Sequence, residues 1–438
     1  MTSPFQYRNG HLCAEDVPIA EIARSAGTPV YVYSSSGMCT QLHRLQNAFA
    51  GQRMKICYAI KANSNLAVIR TLANEGAGAE IVSGGELQKA LAAGVPGRDI
   101  MFAGVAKSRD EMALALDAGI AQFNVESVPE LIALGEVAAS KTMTAPVAIR
   151  VNPDVAADTH DKISTGRRQD KFGISYEKAG EVYAMANSLA GIEPVGLHLH
   201  IGSQIMSLAP FEAAYRRGAD LVRELRAAGI ALRRLDLGGG MGVRYRGDAR
   251  LDVEAYAALV RDITADLDVE LLLEPGRFLI AEAGILVAKV IYMKEGDERP
   301  FAILDAGMND LMRPALYDAY HEILPVTETP VDAEHRPTDV VGPICESSDI
   351  FARGRQLPPL DPEDLVAFLG SGAYGAVMAS DYNARPVAAE VLVDGSRYSV
   401  VKPRIEPVER FSHESLPAWL QTPSLECGGA GFARGGKT

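Results

Sequence analysis

The alternation of strand-like and helix-like segments from Met54 onward constrains this chain more than any other feature. Short apolar runs alternate with segments such as GELQKALAAG, in which apolar residues recur every three or four positions. This pattern predicts repeated strand–helix units, because buried strands are short and apolar whereas helices have a period near 3.6. The strand-like runs are MKICYAI (54–60), AEIV (79–82), IMFAG (100–104), QFNV (122–125), PVAIRVN (146–152), PVGLHLHIG (194–202), RRLDLGG (233–239) and VELLLEP (269–275). Eight such units over about 230 residues predict an α/β fold, a (β/α)₈ TIM barrel.

The pattern changes after Glu282. Runs such as GILVAKVIYMKEG, PFAILDAG and AAEVLVDGSRYSVVKPR are short or alternating, are bounded by Gly, Asp and Pro, and are not interrupted by a long helical stretch. They predict a C-terminal antiparallel β domain, a sandwich or a β-barrel, to which the early run TPVYVYSSS (28–36) adds a strand. We expect the TIM barrel at 37–283 and the β domain at 1–36 and 284–420. The Gly-rich tail, 421–438, is expected to be disordered.

The composition disfavours several classes of protein. A net charge of −13 without a dense Lys/Arg cluster argues against nucleic-acid binding, since phosphate contacts need a basic surface. The five cysteines are far apart and lack CxxC or Cys/His zinc spacing, so we expect neither a disulfide framework nor a metal site. The chain has no basic and then apolar leader and no run of about 18 apolar residues. We therefore expect a cytoplasmic protein that acts on a small molecule and does not span a membrane.

Polar side chains follow several predicted strands, at the end where a barrel builds its active site. Lys61 comes directly after the apolar run ICYAI, and an amine buried there is costly unless it has a partner. Position alone favours the alternative, a surface lysine whose stem lies on apolar residues. His198 and His200 lie on one face of the sixth strand, ahead of Ser203 in a Gly-containing turn. Imidazoles placed in this way stack on a ring, bind a metal or belong to the core.

Two Gly-containing loops follow the seventh and eighth predicted strands. The triple glycine at 238–240 allows backbone N–H groups to approach a phosphate, which barrels often bind in this region. In EPGR (274–277), Arg277 suits a phosphate or a substrate carboxylate, because a guanidinium binds both in bidentate fashion. Glu274 emerges from an apolar strand and needs a cationic partner.

The motifs YAIKAN, HLHIGSQ, LDLGGG, EPGR, CESSD and GAYG occur in this order over nearly the whole chain. The combination closely resembles the barrel-type, alanine-racemase-like decarboxylases that depend on pyridoxal 5′-phosphate (PLP), and within them the branch that acts on diaminopimelate. One departure is FAGVAKS (102–108), which is less polar than the corresponding loop of many relatives and leaves any contact from that loop in question.

The resemblance implies a role toward the cofactor for each matching residue. Lys61 would carry PLP as a Schiff base, His200 would stack on the pyridine ring, and Glu274 would keep the ring nitrogen protonated. The phosphate would be held by Ser203, Gly239, Gly240, Gly276, Arg277 and Tyr374, the last of which would also contact the substrate.

The resemblance also implies a substrate, meso-2,6-diaminopimelate. Arg313 and Tyr317 in RPALY, together with Arg277, would hold the carboxylate distant from the reacting centre. In CESSD, Cys345 would be the proton donor and Glu346 would bind the distant amine. The resemblance places that loop in the partner subunit, which implies a homodimer with a shared active site. The implied reaction is loss of CO₂ to give L-lysine, the last step of lysine biosynthesis.

Two alternatives stay open. The same cofactor site could serve another substrate, such as carboxynorspermidine, ornithine, arginine or an acidic amino acid on a carrier protein. A cationic substrate would need acids where Arg313 and Tyr317 stand, and those two residues are otherwise a structural pair at i, i+4. The second alternative is a binding protein without catalytic activity, against which the presence of Lys61, Glu274 and Cys345 argues. Taken singly, Cys345 is also typical of a small buried apolar residue.

Overall fold

The computed structural model describes residues 3–155, 171–247, 250–330 and 332–420. The tail that the composition predicts to be disordered, 421–438, lies outside these residues. In the described parts of the chain, no helix is long and apolar enough to cross a membrane.

The first elements form a small antiparallel sheet and lead into the two main sheets. They are β1 (Phe5–Arg8), β2 (His11–Ala14), β3 (Val17–Pro18), α1 (Ile19–Ala26), β4 (Val30–Ser34) and α2 (Ser35–Ala48). The side chains of β4 alternate between two apolar clusters. Val30 and Val32 pack with the N-terminal elements, and Tyr31 and Tyr33 pack with the main core. A strand with both faces buried explains why this run is apolar throughout.

The next part of the chain alternates strands and helices. Its elements are β5 (Met54–Ala59), α3 (Leu66–Asn74), β6 (Gly78–Ile81), α4 (Gly84–Ala92), β7 (Ile100–Phe102), α5 (Arg109–Asp117), β8 (Gln122–Val125), α6 (Val128–Ser140), β9 (Ala145–Asn152), β10 (Ile174–Ser175), α7 (Ala179–Ser188), β11 (Ile192–His198), α8 (Ala209–Ala227), β12 (Arg234–Asp236), α9 (Val253–Thr264), β13 (Glu270–Leu273) and α10 (Arg277–Ile280). Each of the eight predicted strands overlaps an observed one.

Eight of these strands are parallel and close into a barrel. The order is β5-β6-β7-β8-β9-β11-β12-β13, and β13 pairs with β5 to complete the ring. Cys57, Met101 and Leu272, from three of the strands, form a separate buried cluster of the kind that fills a barrel interior in layers. The predicted (β/α)₈ barrel is confirmed.

Polar caps determine where the outer helices begin. Ser108 accepts a hydrogen bond from the Glu111 N–H at 3.2 Å, and the Glu111 carboxylate accepts one from the Ser108 N–H at 2.9 Å. This reciprocal pair satisfies backbone donors that the first turn of α5 leaves unpaired. Ser83 and Ser127 cap α4 and α6 in a similar way. These helices therefore begin just after the barrel strands and leave the strand ends free to present side chains.

The remaining strands form a second sheet. The elements are β14 (Gly284–Lys294), β15 (Phe301–Leu304), α11 (Arg313–Tyr317), β16 (Ile323–Pro325), β17 (Arg336–Val341), β18 (Ile350–Leu357), β19 (Leu365–Phe368), β20 (Ala389–Asp394), β21 (Arg397–Lys402) and α12 (Pro407–Phe411). As predicted, β4 joins this sheet, between β14 and β20.

The second sheet is mixed, whereas the sequence pattern predicts an antiparallel one. Most pairs are antiparallel, but β4 pairs with β20 and β15 pairs with β17 in parallel. Neither parallel pair consists of strands joined by a tight turn, and only such a turn requires neighbouring strands to be antiparallel. The short apolar runs reveal the strands, but the long connections decide their directions.

We expect Ser108→Ala to lower the free energy of unfolding by about 1 kcal/mol, because α5 loses its N-terminal cap. The measurement is the urea midpoint at unchanged slope. Ser140→Ala is the control, since the Ser140 hydroxyl donates only to the Val137 carbonyl near the end of α6. Equal midpoints for the two variants would contradict a stabilising role of the cap.

Candidate active site

A cavity of about 640 Å³ lies at the carboxyl ends of the barrel strands. Side chains that follow β5, β8 and β13 border it together with residues from α11 and the segment after β19. Of the residues singled out in the sequence, those that line the cavity are Lys61, His198, His200, Ser203, Glu274, Arg277, Arg313, Tyr317 and Tyr374. Folding therefore gathers an amine, acids, imidazoles and guanidinium groups in one place.

Lys61 has a buried ionic partner that the sequence analysis missed. Its Nζ lies 3.0 Å from Oε1 of Glu80, whose side chain is fully buried in β6. Burial lowers the pKa of Lys61, but Glu80, Tyr374 and Glu274 together outweigh burial, so the pKa lies above its ordinary value. Burial raises the pKa of Glu80 to about 7, although Lys61 opposes the rise. An acid within the run AEIV is the one sequence signal that points to this pair.

Glu274 is held by two side chains from other barrel strands. Its Oε2 lies 3.2 Å from Nε2 of His198, and Asn124 donates a hydrogen bond to its Oε1 at 3.0 Å. Burial raises the pKa of Glu274. His198 and then Lys61 lower it by a larger amount, so that the pKa is about 2. Glu274 is therefore an anion at neutral pH, deep in the barrel mouth.

Asp236, at the end of β12, is the second acid of this group. It accepts a hydrogen bond from the Gly238 N–H at 3.0 Å, and Asn124 Nδ2 lies 3.3 Å from its Oδ2. Burial, and then the charge of Glu274, raise the pKa of Asp236 well above its ordinary value. Sequence spacing puts no carboxylate beside His198, but the closed barrel brings both acids within reach of it.

His200 presents a neutral ring to the cavity. Burial, and then the positive charge of Arg150, hold its pKa well below the ordinary value. The Gly239 N–H donates to His200 Nδ1 at 3.2 Å, which leaves the ring proton on Nε2. A neutral, flat ring fixed by a backbone donor is suited to stacking against another aromatic ring.

Three glycines in the two Gly-containing loops are closely packed against neighbouring atoms. A Cβ on Gly239 would lie 2.3 Å from the Glu274 carbonyl oxygen, and one on Gly240 would lie 2.5 Å from that of Gly202. Gly240 also has a φ of +102°, in the left-handed region. Gly276 is packed against Ala62 and Ala59, at the start of α10. The chain thus presents bare backbone next to the cavity.

Arg277 joins these loops to the second sheet. Its guanidinium nitrogens lie 3.3 and 3.4 Å from the Ser203 hydroxyl, and its Cζ lies 4.8 Å from the centre of the Tyr374 ring. Tyr374 has a φ of +56°, and its N–H donates to the Ala62 carbonyl at 2.8 Å, beside Lys61. Tyr374 therefore connects the segment after β19 to the end of β5.

Arg313, the first residue of α11, is a second buried guanidinium at the cavity. Its side chain donates to His321 Nε2 at 3.0 Å and lies over the ring of Tyr245. Within the described parts of the chain, neither Arg313 nor Arg277 has a carboxylate within 4.0 Å. Two buried cations without an acidic partner favour an anionic ligand. Tyr245 and His321 were missed, because nothing in their local sequence distinguishes them.

Cys345 and Glu346 do not join the other residues within one chain. Both are exposed, in the loop between β17 and β18, and neither lines the cavity. Asn383 Oδ1 accepts a hydrogen bond from the Cys345 N–H at 3.1 Å, and the Tyr382 hydroxyl donates to Glu346 at 2.5 Å. The loop is thus held in place on the surface of the second sheet.

Comparison with known proteins identifies the family of this chain. The family model of the pyridoxal-binding domain of pyridoxal-dependent decarboxylases matches residues 36–281. The diaminopimelate decarboxylase of Zymomonas mobilis is 46% identical over 422 residues, which cover 95% of this chain and 100% of that protein. The one from Vibrio cholerae is 46% identical over 414 residues, 94% of this chain and 99% of that protein.

Solved structures give the same result. The Helicobacter pylori diaminopimelate decarboxylase complexed with L-lysine has a TM-score of 0.87 and 40% identity, over 90% of this chain and 98% of that one. The M. jannaschii enzyme in co-complex with L-lysine has a TM-score of 0.90 and 37% identity, over 95% of this chain and 99% of that one. The chain therefore belongs to the pyridoxal-dependent decarboxylases, in the diaminopimelate decarboxylase family.

Proposed function

We propose that this protein removes CO₂ from meso-2,6-diaminopimelate to form L-lysine, with PLP as cofactor, in the last step of lysine biosynthesis. The observation that carries the proposal is the cavity itself. It places the amine of Lys61 and the anion of Glu274 in the same space as two buried guanidinium groups, Arg277 and Arg313. An amino acid with a second carboxylate matches that combination.

The residues present fit PLP. A buried anion at Glu274 suits a protonated ring nitrogen, and the neutral ring of His200 suits stacking. The glycines at 239, 240 and 276 let the backbone pack closely beside the cavity, as the glycine-rich loops of phosphate sites do. When bound, PLP supplies an electron-accepting ring for the electron pair that departing CO₂ leaves behind.

We assign the cofactor contacts as follows. Lys61 would hold the cofactor through its amine, the group that a substrate amine would have to replace. Glu274 keeps a proton on the ring nitrogen, since its pKa is far below neutrality. The phosphate is held by Ser203, Gly239, Gly240, Gly276, Arg277 and Tyr374.

We assign the substrate contacts by charge. Arg277 and Arg313, with Tyr317, bind the carboxylate distant from Lys61, because paired guanidinium groups recognise a carboxylate through several directed hydrogen bonds. Tyr374 completes this side of the site. Decarboxylases of ornithine or arginine would need acids there to meet a cation, so the two arginines favour a dicarboxylic substrate.

The remaining contacts come from a second copy of the chain. Cys345 and Glu346 are exposed in one chain, yet the reaction needs an acid to protonate the carbon that loses CO₂ and a partner for the distant amine. We propose a homodimer in which this loop enters the partner's cavity, Cys345 donating the proton and Glu346 binding the amine. The five widely spaced cysteines support a cytoplasmic location.

We expect Arg313→Ala to lower kcat/KM for diaminopimelate about 100-fold or more, because the distant carboxylate loses a buried charged partner. Release of CO₂ by the PLP-loaded enzyme measures it. Arg233→Ala is the control, since Arg233 is half-exposed and pairs with Glu193 at the opposite end of the barrel. Near-normal kinetics of Arg313→Ala would contradict the assignment of Arg313 to the distant carboxylate.

We expect Lys61→Ala and Cys345→Ala, each inactive alone, to restore activity when they are co-expressed. If the loop acts in the partner's cavity, a mixed dimer has one site with both mutations and one intact site. Mixed dimers then have about one half of the wild-type turnover per chain. Each variant carries a different tag, and CO₂ release by dimers purified through both tags measures whether the loop acts in the partner's cavity. Activity no higher than that of either single variant would contradict the shared site.

A further inference from the structure

Tyr245 lies between the two buried arginines of the cavity. It belongs to the loop that follows β12 and borders the cavity with a partly exposed side chain. Arg277 Nη1 donates to the Tyr245 hydroxyl at 2.9 Å, and the Cζ of Arg313 lies 4.7 Å from the centre of the Tyr245 ring. Tyr245 therefore contacts Arg277 through its hydroxyl oxygen and Arg313 through its ring face, and the hydroxyl also interacts with Arg313.

These contacts address an electrostatic problem. Two guanidinium groups that are more than nine-tenths buried repel each other, and no carboxylate in the described parts of the chain pairs with either. The hydroxyl oxygen and the electron-rich ring face are the groups that offset this repulsion before a ligand arrives. Burial raises the pKa of Tyr245, but Arg277 and Arg313 together bring it below its ordinary value.

His321 packs against the ring of Tyr245 and fixes its position. The two rings meet edge to face, with centres 5.5 Å apart and an angle of 73° between the planes. His321 Nδ1 donates to the Leu369 carbonyl at 2.8 Å, so its Nε2 accepts from Arg313. Burial, and then the charge of Arg313, lower the pKa of His321 to about 3, which keeps the ring neutral in this role.

We propose that Tyr245 is a positioning residue that determines specificity for substrates with a second carboxylate. It holds the N–H groups of Arg277 and Arg313 so that they converge on that carboxylate, and it gives no advantage to a diamine that lacks one. This inference rests on the proposed function and adds to it a residue that contributes to substrate selection without taking part in the chemistry.

The test is Tyr245→Phe, which keeps the ring under Arg313 and removes the hydroxyl that binds Arg277. L-lysine and cadaverine are compared as ligands of the PLP-loaded enzyme by the change in visible absorbance of the cofactor. L-lysine keeps the distant carboxylate and cadaverine lacks it. We expect Y245F to weaken L-lysine binding about tenfold, as for a lost charged hydrogen bond, and to leave cadaverine binding unchanged. With diaminopimelate, KM rises by a similar factor while kcat changes little.

Two further variants test whether the effect on L-lysine binding comes from Tyr245 itself. Tyr245→Leu also removes the ring face and should reduce the preference for L-lysine over cadaverine more than Y245F does. Tyr7→Phe is the matched control, because it removes a tyrosine hydroxyl that donates to the Pro325 carbonyl far from the cavity. It should leave both affinities unchanged.

The outcomes separate this inference from the proposed function. An unchanged preference in Y245F, equal weakening of both ligands, or loss of PLP affinity would overturn the role of Tyr245. Failure of the wild-type enzyme to release CO₂ from diaminopimelate would overturn the proposed function itself.

Discussion

The pairing of β13 with β5 is the contact on which the rest of the structure depends. It closes the barrel and joins the last of its strands to the first. Lys61 follows β5 and Glu274 follows β13, so closure brings the two to the same edge of the sheet. Without it, two charged groups far apart in sequence would have no reason to be neighbours. The chemistry of the cavity is in this sense a consequence of the closure of the sheet.

Closure also makes the buried charges tolerable. The acids and the lysine at the barrel mouth have partners from other strands, as in Lys61 with Glu80 and Glu274 with His198. Charges at this depth would be too costly alone, but in pairs they fix one another's orientation. Arg277 and Arg313 depart from this rule, since they face the cavity with aromatic neighbours and without acids. The departure marks where a ligand completes the network.

Much of this organisation follows from the sequence. Apolar runs at regular spacing predict all eight barrel strands, and Lys61, Glu274 and Arg277 stand out because they interrupt apolar sequence at strand ends. Glu80, Asp236 and Tyr245 were missed for a physical reason. Their roles depend on contacts between segments far apart in the chain, and a single acid in a strand or a single tyrosine in a loop has no local signature. The mixed second sheet was missed for the same reason, because strand direction depends on long connections.

The place of β4 in the second sheet bears on how the chain is made. β4 lies near the amino terminus, and the whole barrel separates it along the chain from its first neighbour, β14. Its second neighbour, β20, comes after most of the second sheet as well. During synthesis this strand leaves the ribosome long before either partner exists, with both hydrogen-bonding edges open. Open apolar edges invite pairing with other chains, so β4 is a segment at which the unfinished protein is prone to associate until its last strands emerge.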